Sequence, residues 1–114
     1  MTSTASLRNN LDALNRILRI DNITIDERIS ILSLKVNLVS DSEKCEIHLE
    51  LAELYSDLNK LELAFVELDQ AQSIVQSNKD KVIEILHKKV DIERRRQRLN
   101  RAEQLVKQIE KLKQ

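Results

Sequence analysis

Leu7, Leu11, Leu14 and Leu18 recur at spacings of four, three and four, so the chain opens with an amphipathic helix that Ser3 or Thr4 can cap. Asp21-Asn22 closes it, since Asn tolerates the left-handed closing conformation better than other non-glycine residues. Thr24-Ile25-Asp26-Glu27 has the form of a capping box. The apolar positions between Ile29 and Val39 alternate in a way that also fits a strand, but a lone strand has nothing to pair with, and the capping box assigns a helix. Ser40-Asp41-Ser42-Glu43 is a second capping box and opens a helix to about Leu58. Asn59-Lys60 makes a short turn, Leu61 to about Gln76 forms the next helix, and Ser77-Asn78 ends it and caps the last.

From Lys79 to Lys113 nothing in the pattern breaks the chain, which predicts one helix of roughly 50 Å beside neighbours of about 22 Å. Val82, Ile83, Leu86 and Val90 can pack on the body. Beyond it, Leu99, Ala102, Val106 and Ile109 form a stripe of their own, flanked by Leu105 and Leu112. About two heptads are short for an independent coiled coil, so the stripe is expected to dock on a second copy or on a different subunit. The predicted architecture is all-α: helical hairpins over residues 1–78, closed by a long projecting basic helix over 79–114.

Glycine and proline are both absent, which excludes Gly-rich phosphate loops, dinucleotide fingerprints and nucleophile elbows. A single cysteine, Cys45, excludes an internal disulfide framework. The formal net charge is zero, yet residues 1–78 hold seven Lys and Arg against thirteen Asp and Glu, while 79–114 hold twelve against six. So polarised a chain folds its tail onto its body, pairs head to tail with a copy, or offers two faces to two partners. No apolar run is long enough for a bilayer, and an intracellular protein, cytoplasmic or nuclear, is the expectation. The serines, threonines and arginines of Met1 to Ile20 loosely resemble a mitochondrial presequence, although Asp12 interrupts them.

Leu51, Ala52, Tyr55, Ala64 and Ala71 match the small-and-large signature of a helix–turn–helix of about 34 residues, and residues 45–78 resemble a tetratricopeptide repeat. The match departs at His48 and Leu68, where the family carries aromatics, and at Gln76, where it carries proline. One repeat earlier only Ser30 and Leu34 agree; one repeat later Lys89 takes the tyrosine position, which makes the last helix a capping helix. The resemblance implies a binding module with a concave groove lined near Glu46, Leu49, Glu53, Ser56 and Asp57. Family members that clamp acidic C-termini use Lys and Asn there. With acid in their place, the implied ligand is a basic segment, and the chain's own Arg94-Arg95-Arg96-Gln97-Arg98 is one candidate.

Three further patterns bear on chemistry. Cys45 and His48 share a helix face, but a zinc site needs further ligands and a nucleophile needs an oxyanion donor. Glu84-Ile85-Leu86-His87 has the spacing of di-iron bundles, which require a second copy of it and two more glutamates. Lys88, Lys89, Arg94, Arg95, Arg96, Arg98 and Arg101 could neutralise phosphates, yet Asp91 and Glu93 interrupt the run and no aromatic accompanies it. The expectation is a non-enzymatic adaptor or assembly subunit with no metal and no cofactor. Its acidic face would comprise Glu46, Leu49, Glu53 and Asp57, and its association stripe Leu99, Ala102, Val106, Ile109 and Leu112. The alternative is a nucleic-acid-binding factor using Lys88, Arg94, Arg95, Arg98 and Arg101.

Overall fold

The computed structural model describes the backbone of residues 4–114 and the side chains from Arg8 onward. The proposed capping by Ser3 or Thr4, and the place of Leu7 in the first stripe, lie outside the described residues. Six α-helices follow one another with no strand among the described residues: α1 (Thr4–Leu18), α2 (Ile25–Lys35), α3 (Asp41–Asp57), α4 (Leu61–Ile74), α5 (Lys79–Arg95) and α6 (Leu99–Lys113). Each packs on the next, giving three consecutive helical hairpins in a body of 47 × 31 × 23 Å.

Local chemistry accounts for the boundaries. Thr24 Oγ1 accepts from the Glu27 amide at 3.1 Å, and Glu27 Oε1 accepts from the Thr24 amide at 3.2 Å, so both halves of the capping box form. The strand-like stretch is helical and tightens into a single 3₁₀ turn at Val36–Leu38. Asn78 caps α5 by accepting from the Lys81 amide at 3.1 Å. The second expected capping box does not form. The Ser40 side chain makes no capping bond, and only its backbone carbonyl takes part, accepting the Lys44 amide at 2.8 Å as the first bond of the helix. Acidic Asp41 and Glu43 in the first turn still favour that helix end.

The expected single helix over 79–114 is two helices. Gln97 adopts φ 61°, the left-handed conformation, and the chain reverses there. The Arg98 amide reaches back to the Glu93 carbonyl at 2.8 Å and the Gln97 amide to Arg94 at 3.0 Å, a Schellman-type ending that satisfies two carbonyls at the end of α5. The α3–α4 corner is built the same way. Asn59 has φ 58°, the Lys60 amide reaches Tyr55 at 2.8 Å, and the Asn59 amide reaches Ser56 at 2.9 Å.

This fold-back consumes the stripe expected to face a partner. Ala102 and Ile109 of α6 are buried against Val82, Leu86 and Val90 of α5, with Leu105, Val106 and Leu112 half-buried around them. Leu99 alone is left out, at 67% exposure. A helix of 15 residues with a strong apolar face folds back because its own neighbour supplies the complementary face. Two other clusters complete the interior. Cys45, Ala52, Ala64, Leu68, Ala71, Ile85 and Ile92 join α3, α4 and α5; Leu32, Ile47 and Leu51 join α2 to α3.

The sign of one substitution separates hairpin from rod. Gln97→Gly removes the Cβ that disfavours positive φ and should stabilise the hairpin by about 0.5–1 kcal/mol. In an unbroken helix the same change would cost a similar amount. The shift of a urea midpoint reports which applies.

Candidate partner-binding cleft

Because α3 and α5 are the first helices of successive hairpins, they stand side by side with α4 behind them. Between them opens a cavity of about 630 Å³. Its floor is apolar: Leu49 and Ala52 from α3, Leu68 from α4 and Ile92 from α5. Glu53 and Ser56 stand on the α3 wall; Lys88, Asp91, Arg94 and Arg95 stand on the α5 wall.

Arg95 crosses from one wall to the other. Its Nη1 donates to the Ser56 hydroxyl and its Nη2 to the Ser56 carbonyl at 3.2 Å. Both acceptors are neutral, so the guanidinium charge is hydrogen-bonded without being neutralised. Lys88, Arg94, Glu53 and Asp91 form no ion pair among the described residues. Other charges of the same helix are committed. Lys89 is buried, donates to Asp69 and to Gln72 Oε1 at 2.6 Å, and lies 5.0 Å from the centre of the Phe65 ring, which ties α5 to α4. Lys81 Nζ bonds Glu46 at 3.0 Å and Glu84 at 3.2 Å, and these bonds raise its pKa above the ordinary lysine value. The segregated charge of the chain is thus met in part within it: Lys81 and Lys89 of the basic half pair with Glu46 and Asp69 of the acidic half.

The structure therefore rearranges the sequence-derived sites. Leu49 and Glu53 of the expected acidic face share one cavity with Lys88, Arg94 and Arg95 of the basic helix. Glu46 is turned away to Lys81 and borders a smaller recess of about 330 Å³ between α2 and α3. Asp57 is exposed at the end of α3, and Arg98 and Arg101 are exposed beyond the α5–α6 corner, outside the cleft. The expected acidic groove is consequently a cleft of mixed charge, because α5 sets its cations opposite the glutamate wall. Ala52, Leu68, Asp91 and Ile92 were not singled out in the sequence as cleft residues. The only local signal at Ala52, Leu68 and Ile92, small or apolar positions at helical spacing, is shared by the core, and Asp91 has the look of any charge on a solvated face.

The remaining candidates are separated by their partners. Cys45 is buried with Sγ 3.8 Å from the Ala71 carbonyl, and burial, with Glu46 nearby, raises its pKa, which keeps it a thiol at neutral pH. His48 Nδ1 lies 2.6 Å from Glu67 Oε2 and joins α3 to α4. Glu84 is held by Lys81, and His87 is exposed on the same helix. Among the described residues no three His, Cys, Asp or Glu side chains are grouped as a metal site requires. No helix among them is long and apolar enough to cross a membrane. Comparison of the chain with protein-family models, with curated proteins and with solved structures gives no match.

Proposed function

We propose that the protein is a non-enzymatic interaction module that holds a segment of a partner protein in the cleft between α3 and α5. The observation that carries this reading is the cleft itself, with an apolar floor of Leu49, Ala52, Leu68 and Ile92 between two charged walls. Apolar floors supply affinity and a few charged groups at the margin supply orientation, the usual division of labour in a recognition cleft. The resemblance of residues 45–78 to a tetratricopeptide hairpin supports the same reading, since such hairpins present their first helices to ligands.

The test is selection from a random peptide library displayed on phage against the full chain. Enriched peptides should bind the wild type and lose at least about tenfold in affinity on Leu49→Asp, which places a charge on the cleft floor. They should be indifferent to Leu99→Asp on the far hairpin. Binding that ignores Leu49→Asp, or no enrichment at all, would remove the cleft as the binding site.

One observation favours a second reading. Arg94, Arg98 and Arg101 are exposed near the α5–α6 corner, with no carboxylate partner among the described residues. As a nucleic-acid contact they would give an affinity falling steeply with salt. A titration of duplex and single-stranded oligonucleotides with a flat salt response excludes it.

A further inference from the structure

Resting on that cleft reading, we infer that the occupant is an acidic, apolar segment of a partner protein, which sets its carboxylates against α5 and its large apolar side chains on the cleft floor. This is the reverse of the basic ligand that the acidic residues of α3 imply when that helix is considered alone.

The argument is one of charge balance inside one cavity. Three cations and two carboxylates border it, and the cations stand together on α5. Asp91 lies within one turn of Lys88, Arg94 and Arg95 on that helix, close enough to offset part of their charge and too few to offset all of it. Arg95 is directed across the cleft by its hydrogen bonds to the neutral Ser56 acceptors, which leave its charge uncompensated. A cation oriented by neutral acceptors keeps its charge for an arriving carboxylate, and an Arg fork can take one with further N–H groups. Lys88 and Arg94 add two more unpaired donors. Meanwhile the acid on the facing wall has thinned. Glu46 is taken by Lys81 and Asp57 lies outside the cavity, which leaves Glu53. A segment with carboxylates on the α5 side and an apolar core therefore satisfies more of the cleft than a basic one does. The volume, about 630 Å³, admits a few side chains rather than a whole helical bundle face.

The probe is the displayed random peptide library, followed by fluorescence anisotropy on a selected peptide. Selection should enrich sequences with Asp or Glu adjoining Leu, Ile, Phe or Trp. Lys88→Glu with Arg94→Glu should weaken a selected peptide about tenfold or more, and a peptide with its acids changed to lysine should regain affinity for that double variant. Glu53→Lys should tighten binding of the original peptide, because it replaces the one carboxylate on the facing wall with a cation. Added salt should weaken binding by the wild type. Enrichment of basic peptides that still depend on Leu49, and that are lost on Glu53→Lys, would overturn the acidic occupant while keeping the cleft. Peptides insensitive to Leu49→Asp would overturn both. Circular dichroism of each variant checks that the helices persist, and a charge-swapped peptide that recovers binding shows that the variant has kept the cleft.

Discussion

Ile85→Ala should destabilise the protein by about 3 kcal/mol and lower its melting midpoint by roughly 10–20 °C. Ile85 is 0% exposed and sits on the face of α5 that meets Ala64, Leu68 and Ala71 of α4. Truncating it leaves a void in the apolar seam between α4 and α5, which fastens the last hairpin to the body together with the Lys81–Glu46 and Arg95–Ser56 bonds to α3. Small residues at Ala64 and Ala71 let the helices approach closely there, so little side chain is at hand to refill the space. The matched control is Leu99→Ala. Leu99 was expected on an association stripe and is in fact mostly exposed, so its truncation should change stability by less than about 0.5 kcal/mol. Thermal melts of the two variants at one protein concentration give the comparison. Equal losses would mean that α5 is not docked on α4.

Much of the fold was legible in the chain, and the misses have identifiable causes. The helical class and the limits of α2, α3 and α4 follow from periodicity and from Thr24, Asn59 and Asn78, whose local chemistry works over a few residues and needs no tertiary help. The break within residues 79–114 is masked in the sequence because glutamine is an uncommon occupant of the left-handed position and because seven charged or polar residues lie within four positions of it. A signal was nevertheless present. Asn59-Lys60-Leu61 followed by Ala64 closes the α3–α4 corner, and Gln97-Arg98-Leu99 followed by Ala102 has the same form. Both alanines are buried at the close approach of their hairpins.

The masked break at Gln97 also scatters the candidate site along the sequence. With α5 taken to run on as a rod, its arginines point to every side, and nothing distinguishes Arg95, which reaches Ser56, from Arg98, which is exposed outside the cleft. Helix-face arithmetic places residues around one axis, whereas a cleft depends on which second axis lies opposite. That information resides in the packing of Ile85 and Ile92 on α4, and single-helix periodicity does not contain it. Leu49 and Glu53 are expected from the sequence on the groove side of α3, and the structure sets them in a cavity whose opposite wall, α5, the periodicity of α3 does not supply.

Arg96→Ala should cost about 3 kcal/mol, a large loss for a side chain with 15% exposure and one ion pair, and Glu93→Gln should restore most of it. Glu93 is 1% exposed, and its Oε1 takes a hydrogen bond from Arg96 Nη1 at 3.1 Å. Its other oxygen, Oε2, is buried and has no hydrogen-bond partner among the described residues. The position corresponds to Tyr55 in the α3–α4 hairpin, where an aromatic ring packs among the core residues. Glu93 thus puts a charge where the earlier corner holds a ring, and Arg96 is the cation that makes this tolerable. Removing Arg96 leaves a buried carboxylate without its cation, the costly half of a buried pair. Removing the charge first, by Glu93→Gln, keeps the shape and an acceptor, so the single variant should be close to neutral or more stable than wild type. In the double variant the loss from Arg96→Ala should then shrink to about 1 kcal/mol or less, which gives a coupling of roughly 2 kcal/mol. Urea unfolding of the four proteins closes the cycle. Additive losses would show that Arg96 stabilises the corner through its packing and not through Glu93.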